Sequence, residues 1–500
     1  MPNFMARQEN SGRRRVGIAL AVAFVVLQCL DVTTYPLFNY DEALLNDAGW
    51  QLVSTGRFRA DVLGLNRGFE SHYLWQPPGL PLAAAASYGL FGFGIWQTRL
   101  ASILFGGLGV WAVFHFVRSL NPGTIGASIA ALSLFFWPEW VLTAKESRMD
   151  TAAIFALVVA THLTVQSLRG DAVPCRRVLF LAGLCTGVAM IFHTVALLWG
   201  GGLGIVILAF ARNRFRSAFV FAAGAAVFGT MWLVHALQFP QEFQAQYLSL
   251  LFNRAGGGGL VERFASEGAR YLQEIDRRPT VYAVALFGFC GFVAQRRWTD
   301  QRIRVLLVLT GTVLLLHALV AGKLSGFYTL YPMALVFCLI GIGIEACEAG
   351  STAGHGRRLL AFVVTVSCIA FMANIAALSI GPRVLTYWFQ AVPRDYELQM
   401  EALSSRLKPG DQVWGSAVAW IATVKAGARL DALDWVPGVE GTRPDPLQHK
   451  YVVVDRDALF TGSDGYQKIV AFGDALPMVF GSRLSNKSYL FDLWQSKSLP

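Results

Sequence analysis

Apolar runs of about 20 residues recur along most of this chain, and each is long enough to cross the hydrocarbon core of a bilayer. Charged residues make up only 15% of the 500 positions and hydrophobic ones 54%, whereas a soluble domain carries about 25% charge. A chain so short of polar surface is an α-helical polytopic membrane protein. The net charge of +10 then reads as basic cytoplasmic loops, not as a nucleic-acid surface. The seven cysteines form no CxxC and no cluster, so neither a disulfide framework nor a thiolate metal site is indicated.

The topology follows from the basic loops. Arg13, Arg14 and Arg15 precede an apolar run from Val16 to about Phe38, which reads as a retained first helix with a cytoplasmic N-terminus. Asp31 lies within this run, as a solvated interfacial group or a functional one. The stretch from Pro78 to Gly94 is short for a span and is interrupted by Gly79, Pro81, Gly89 and Gly92. If it does not cross, Arg118, Arg176, Arg177, Arg212, Arg214, Arg216, Arg302, Arg304, Arg357 and Arg358 all fall on the cytoplasmic side. The expectation is therefore about eleven spanning helices plus one re-entrant or interfacial segment. Asp41 and Asp150 then share the outer side.

Residues 1–380 read as the membrane domain, with an outer loop over 39–99 and a mobile outer loop over 239–279. In the first loop, Leu45, Ala48, Leu52 and Val53 recur at helical spacing before Gly56, which predicts a short amphipathic helix in the interface. The second contains the glycines 256–259 and a charged amphipathic segment. Composition turns soluble over 381–500. There Lys450–Asp455 reads as a buried strand and Leu398–Leu407 as a helix stopped by Pro409-Gly410, so a small extracytoplasmic α/β domain is expected.

The chemistry-bearing residues gather in outer loops. Asp41 and Glu42 are adjacent carboxylates after the first helix. Asp41 is either a helix N-cap or a general base for an acceptor hydroxyl, with Glu42 orienting it; both acids are also able to bind a cation. Arg148 and Asp150 are either an interfacial ion pair or the second half of such a site. Arg99, Arg148, Lys323 and His72 are each a snorkelling anchor or, together, a set of cations for a lipid phosphate or phosphodiester. His193 lies in an apolar run and reads first as a buried, hydrogen-bonded histidine. No P-loop, GxGxxG, HExxH or GxSxG stands in a sensible context, against nucleotide-driven transport and zinc proteolysis.

Several motifs come in a telling order: Tyr40-Asp41-Glu42-Ala43, Leu74-Trp75-Gln76-Pro77-Pro78-Gly79, Leu90-Phe91-Gly92, Thr98-Arg99-Leu100-Ala101-Ser102 and Ser147-Arg148-Met149-Asp150. In this order the chain resembles the GT-C superfamily of integral membrane glycosyltransferases. The branch is the one holding protein O-mannosyltransferases and the lipid A aminoarabinose transferase (glycosyltransferase family 39-like), and the likeness is best over residues 16–200. Lys323 to Pro332, with Tyr328 between, resembles the family's Lys…Tyr…Pro turn. The resemblance implies a polyprenyl-phosphate sugar donor used at the outer face and transfer with inversion. It makes Asp41 the catalytic base, and Asp150 a second acid that binds acceptor, donor or a divalent metal. The branch's lysine before Pro-Pro, which contacts the lipid phosphate, is Gln76 here, and a mid-helix Lys-Gly pair is replaced near His193. Phosphate binding is therefore expected at Arg99, His193, Lys323, Tyr328 and Gln76, and acceptor orientation at Glu42, Arg148 and His72. The expected partners are the bilayer, the lipid-linked sugar and a lipid, glycan or protein acceptor, in the bacterial inner membrane. A non-catalytic lipid-linked sugar translocase is the alternative.

Overall fold

The computed structural model describes residues 2–63, 68–120, 123–168, 174–249, 251, 259–277, 299–320, 326–349, 355–432, 449–455, 463–473 and 489–499. These form a helical membrane body and a small C-terminal sheet. The body runs α1 (Pro2–Cys29), α2 (Tyr40–Thr55), α3 (Gly79–Phe91), α4 (Ile95–Leu120), α5 (Ile125–Phe135), α6 (Pro138–Lys145), α7 (Asp150–Ser167), α8 (Arg176–Phe192), α9 (Ala196–Phe210) and α10 (Arg214–Ala236). A short helical turn, Pro240–Phe243, and a π-helical turn, Gln244–Leu248, follow. Then come α11 (Leu260–Arg277), α12 (Gln301–Val320), α13 (Leu330–Ala349) and α14 (His355–Arg394).

Among the described residues, five helices are long and apolar enough to cross a membrane: Ile95–Leu120, Asp150–Ser167, Arg214–Ala236, Gln301–Val320 and Val366–Ser404. Shorter apolar helices include Arg15–Cys29, Gly79–Phe91, Ala196–Phe210 and Leu330–Glu345. The glycines 256–258 and the apolar stretch at 280–295 lie outside the described residues. Eleven crossings therefore stay an expectation for the whole chain.

Two local features have a plain physical reading. The run from Ile125 to Leu142 is not one helix; α5 and α6 meet at a 57° bend. Pro138 has no N–H to donate and drives Trp137 out of the helical region, to ψ 119. The boundary expected between residues 380 and 381 falls inside α14, which continues to Arg394.

Helix α3 has 13 residues, about 20 Å at 1.5 Å per residue, against a core of about 30 Å. It follows Gln76-Pro77-Pro78 directly, and its first residue packs so tightly that a Cβ on Gly79 would stand 2.6 Å from the Ile191 carbonyl. That close approach sets the Gln76 segment against the end of α8.

The C-terminal part begins with α15 (Tyr396–Ser404) and continues through β1 (Gln412–Gly415), α16 (Trp420–Ala426), β2 (Arg429–Ala432), β3 (Tyr451–Asp455), β4 (Tyr466–Phe472) and β5 (Phe491–Ser496). The strand order is β2-β1-β3-β5-β4. The first three are parallel and β5 runs antiparallel to both neighbours. The sheet docks on the loop that follows α2 and on the residues before it. Trp420 Nε1 donates to Asp47 Oδ1 at 3.0 Å, and the Val62 N–H donates to Asp47 Oδ2 at 2.9 Å. Ala432 N donates to the Val62 carbonyl at 3.1 Å, and Phe38 stacks on Tyr396 at 4.5 Å.

Candidate active site

The site starts at α2. Asn39 is the N-cap, its side chain accepting from the Asp41 N–H at 2.8 Å, while Glu42 Oε1 accepts from the Asn39 N–H at 3.1 Å. This reciprocal pair is a capping box. The cap role considered for Asp41 thus belongs to Asn39, and the Asp41 carboxylate projects from the first turn, 29% exposed. At the other end Gly56 closes the helix at φ 72, in the left-handed region that favours glycine. The helix expected at the membrane interface packs against the rest of the protein through its polar face. Glu42, Asn46, Asp47 and Gln51 are buried along it, because its polar face meets Arg99, Trp420 and the Val62 backbone.

Glu42 and Arg99 form a closed pair. Arg99 Nε donates to Glu42 Oε2 at 2.8 Å and Nη2 to Oε1 at 2.7 Å. The remaining guanidinium N–H groups go to the Val32 carbonyl at 2.6 Å and the Pro36 carbonyl at 3.2 Å. The two side chains are 0% and 1% exposed. Burial raises the Glu42 carboxyl above its ordinary value, and Arg99 offsets part of that rise. This corrects two expectations. Arg99 is consumed in holding α2 to α4 and offers no donor to a phosphate, and Glu42 supports the loop instead of facing an acceptor.

Arg148 is the cation that meets the carboxylates. Its Nη1 donates to Asp41 Oδ2 at 3.1 Å and its Nε to Asp150 Oδ2 at 3.2 Å. Burial works against its charge, but Asp150 and Asp41 outweigh that effect and its pKa rises. The turn that delivers it is strained. Ser147 sits at φ 47, a region costly for a residue with a Cβ. Its Oγ donates to the Thr98 carbonyl at 2.6 Å and lies 3.1 Å from Asn46 Oδ1, and Ser102 Oγ donates to the Arg148 carbonyl at 2.9 Å. These bonds over-determine the turn and tie it to α2 and α4.

Two expected phosphate ligands lie close by. Tyr328 interacts electrostatically with Arg148, and its ring is 5.2 Å from that of His193. His193 is buried at the end of α8, with Nδ1 accepting from the Val195 N–H at 3.2 Å. Gln76 is also buried. His72 is elsewhere: it stacks on Phe239 at 3.5 Å and stands 3.7 Å from Glu242. It thus joins the 68–78 segment to the turn after α10, away from Asp41. Lys323 lies outside the described residues.

Sequence reasoning missed four groups. Lys145 and Arg383 both pair with Asp31, so Asp31 is neither solvated nor free. Glu146, with Oε2 buried and unpartnered, sits in the field of Glu42, Arg148, Arg99 and Asp41; burial first, then Glu42, pushes its carboxyl up to about 7. His317 is buried in α12 with both ring nitrogens unpartnered. A lone polar residue in an apolar run was the only available signal for it.

A divalent ion weighed on Asp41 and Asp150 does not suit this donor set. The Arg148 guanidinium bridges the two carboxylates, and no group of three or more His, Cys, Asp or Glu is arranged for a metal among the described residues.

A family profile described as "Dolichyl-phosphate-mannose-protein mannosyltransferase" matches residues 75–236. Among solved structures, ArnT from Cupriavidus metallidurans in the apo state superposes with a TM-score of 0.65 at 14% identity, over 97% of this chain and 98% of that one. The same protein bound to undecaprenyl phosphate gives 0.64 at 14% identity, over the same shares of each chain. The archaeal oligosaccharyltransferase AglB from Archaeoglobus fulgidus gives 0.55 at 13% identity, over 90% and 70%. No protein among the curated sequences matches. The chain carries several helices long and apolar enough to cross a membrane, and it shares the fold of the membrane proteins ArnT and AglB.

Proposed function

We propose that this protein is an inverting membrane glycosyltransferase. It moves a monosaccharide from a polyprenyl-phosphate carrier to a lipid, glycan or protein acceptor at the outer face of the bacterial inner membrane. The observation that carries the reading is the Asp41–Arg148–Asp150 bridge: a partly exposed carboxylate beside a buried cation, in a GT-C fold. Similarity to a structure of ArnT bound to undecaprenyl phosphate supports the donor class.

In this mechanism Asp41 takes the proton of the acceptor hydroxyl as its oxygen attacks the anomeric carbon. The bond from that carbon to the phosphate oxygen breaks, its electron pair leaves with the polyprenyl phosphate, and one displacement inverts the centre. Negative charge grows on the leaving oxygen, so a cation is needed beside it. With Arg99 engaged by Glu42, Arg148 takes that role, aided by Tyr328 and His193.

The test is single-turnover transfer from a polyprenyl-phosphate sugar by the wild type and Asp41→Asn. Turnover should fall about 10²-fold or more, with undecaprenyl phosphate binding nearly unchanged. Equal turnover in both would reduce Asp41 to a partner of Arg148. Tight carrier binding with no transfer from any donor would favour the translocase.

A further inference from the structure

Three deeply buried side chains in and near the bridge carry polar atoms with no hydrogen-bond partner. Asp150 Oδ1, the Tyr331 hydroxyl and both ring nitrogens of His317 are unpartnered, in side chains 0%, 0% and 1% exposed. They are neighbours. The Tyr331 hydroxyl lies within interaction range of the Asp150 carboxylate, yet neither it nor Asp150 Oδ1 makes a hydrogen bond of normal geometry. The Tyr331 and His317 rings are 6.0 Å apart, and the His193 ring lies 5.9 Å from that of Tyr331. Buried polar atoms in folded proteins nearly always have partners, and a cluster of exceptions calls for one.

We propose that Asp150 Oδ1, Tyr331 and His317 form the subsite that grips the sugar of the lipid-linked donor, with the ring hydroxyls as their missing partners. The inference rests on the transferase reading above and adds which end of the donor these groups hold. Their chemistry selects the ligand. A carboxylate oxygen only accepts, so it needs a hydroxyl or amino hydrogen and repels a phosphate. Tyrosine and a neutral imidazole each offer a donor and an acceptor, a match for a polyhydroxylated ring. Depth selects it too. Asp41, 29% exposed, is where an acceptor arrives, while these groups lie further in, past Arg148.

The experiment measures binding of undecaprenyl phosphate, bare or carrying a hexose or a pentose, to the full-length protein in lipid nanodiscs. Tyr331→Phe keeps the ring and is expected to fold; His317→Leu and His317→Gln separate loss of bonding from loss of volume. Tyr331→Phe and His317→Leu should each weaken the best sugar-loaded ligand about 10-fold and leave bare undecaprenyl phosphate unchanged, with His317→Gln recovering part of the loss. Equal weakening of both ligands would overturn the proposal and assign these groups to the phosphate. Unchanged binding of every ligand would overturn it in favour of water as the partner. Wild-type protein that binds no form of undecaprenyl phosphate would overturn the donor class and this subsite with it.

Discussion

Replacing Arg99 by methionine isolates the ion pair that holds α2 to α4. Glu42 would keep its place, 0% exposed, but lose both charge-assisted hydrogen bonds. Breaking a buried pair on one side costs about 3–5 kcal/mol. Protonation of Glu42, already favoured by burial, limits the loss to the lower part of that range. The double variant Glu42→Gln/Arg99→Met removes the stranded charge. It still leaves the Val32 and Pro36 carbonyls without their donor, worth about 1–3 kcal/mol. The double variant should therefore be more stable than Arg99→Met by about 1–2 kcal/mol. The assay is a thermal-unfolding cycle on detergent-solubilised protein, paired with undecaprenyl phosphate binding. In the folded double variant that affinity should stay within about 2-fold of wild type, because a charged phosphate contact would cost about 10-fold or more. An Arg99→Met protein that unfolds like the wild type but no longer binds the phosphate would refute the reasoning and return Arg99 to the donor site.

Three further outcomes follow from the same geometry. Ser147→Gly should be more stable than Ser147→Ala by about 1 kcal/mol, because both lose the hydroxyl bonds and only glycine is relaxed at positive φ; unfolding temperatures compare them. Arg148→Lys keeps a charge but not the fork that reaches two carboxylates, so turnover should drop at least about 10-fold at saturating donor, read by initial rates. Burial, the larger cause in each case, holds Asp47 up at about 6 from 3.8 and Glu146 up at about 7 from 4.5. The folded state then binds more protons than the unfolded chain between these values, so stability should decline as pH rises from about 4 to about 7. Asp47→Asn and Glu146→Gln should each flatten the slope of unfolding temperature against pH.

Much of the architecture is written locally. Apolar runs, the Gly56 stop, the strand at Tyr451–Asp455 and the short segment after Pro78 all follow from composition and chain stereochemistry within a few residues. The break at Pro138 was equally local, and the apolar pattern masked it. The amphipathic pattern of α2 named its helical state but not its surroundings, because polar residues point to water or to buried partners with the same sequence. Partner choice was decided only by the tertiary structure. Arg99 and Arg148 look alike as cations at the membrane edge. Yet one closes on Glu42, 57 positions away, and the other bridges to Asp41, 107 positions away. Asp47 finds Trp420 across 373 residues and Asp31 finds Arg383 across 352. Such pairings depend on which helices pack together. A buried charge takes whichever opposite charge that packing brings within reach, and hydropathy and spacing carry no record of it.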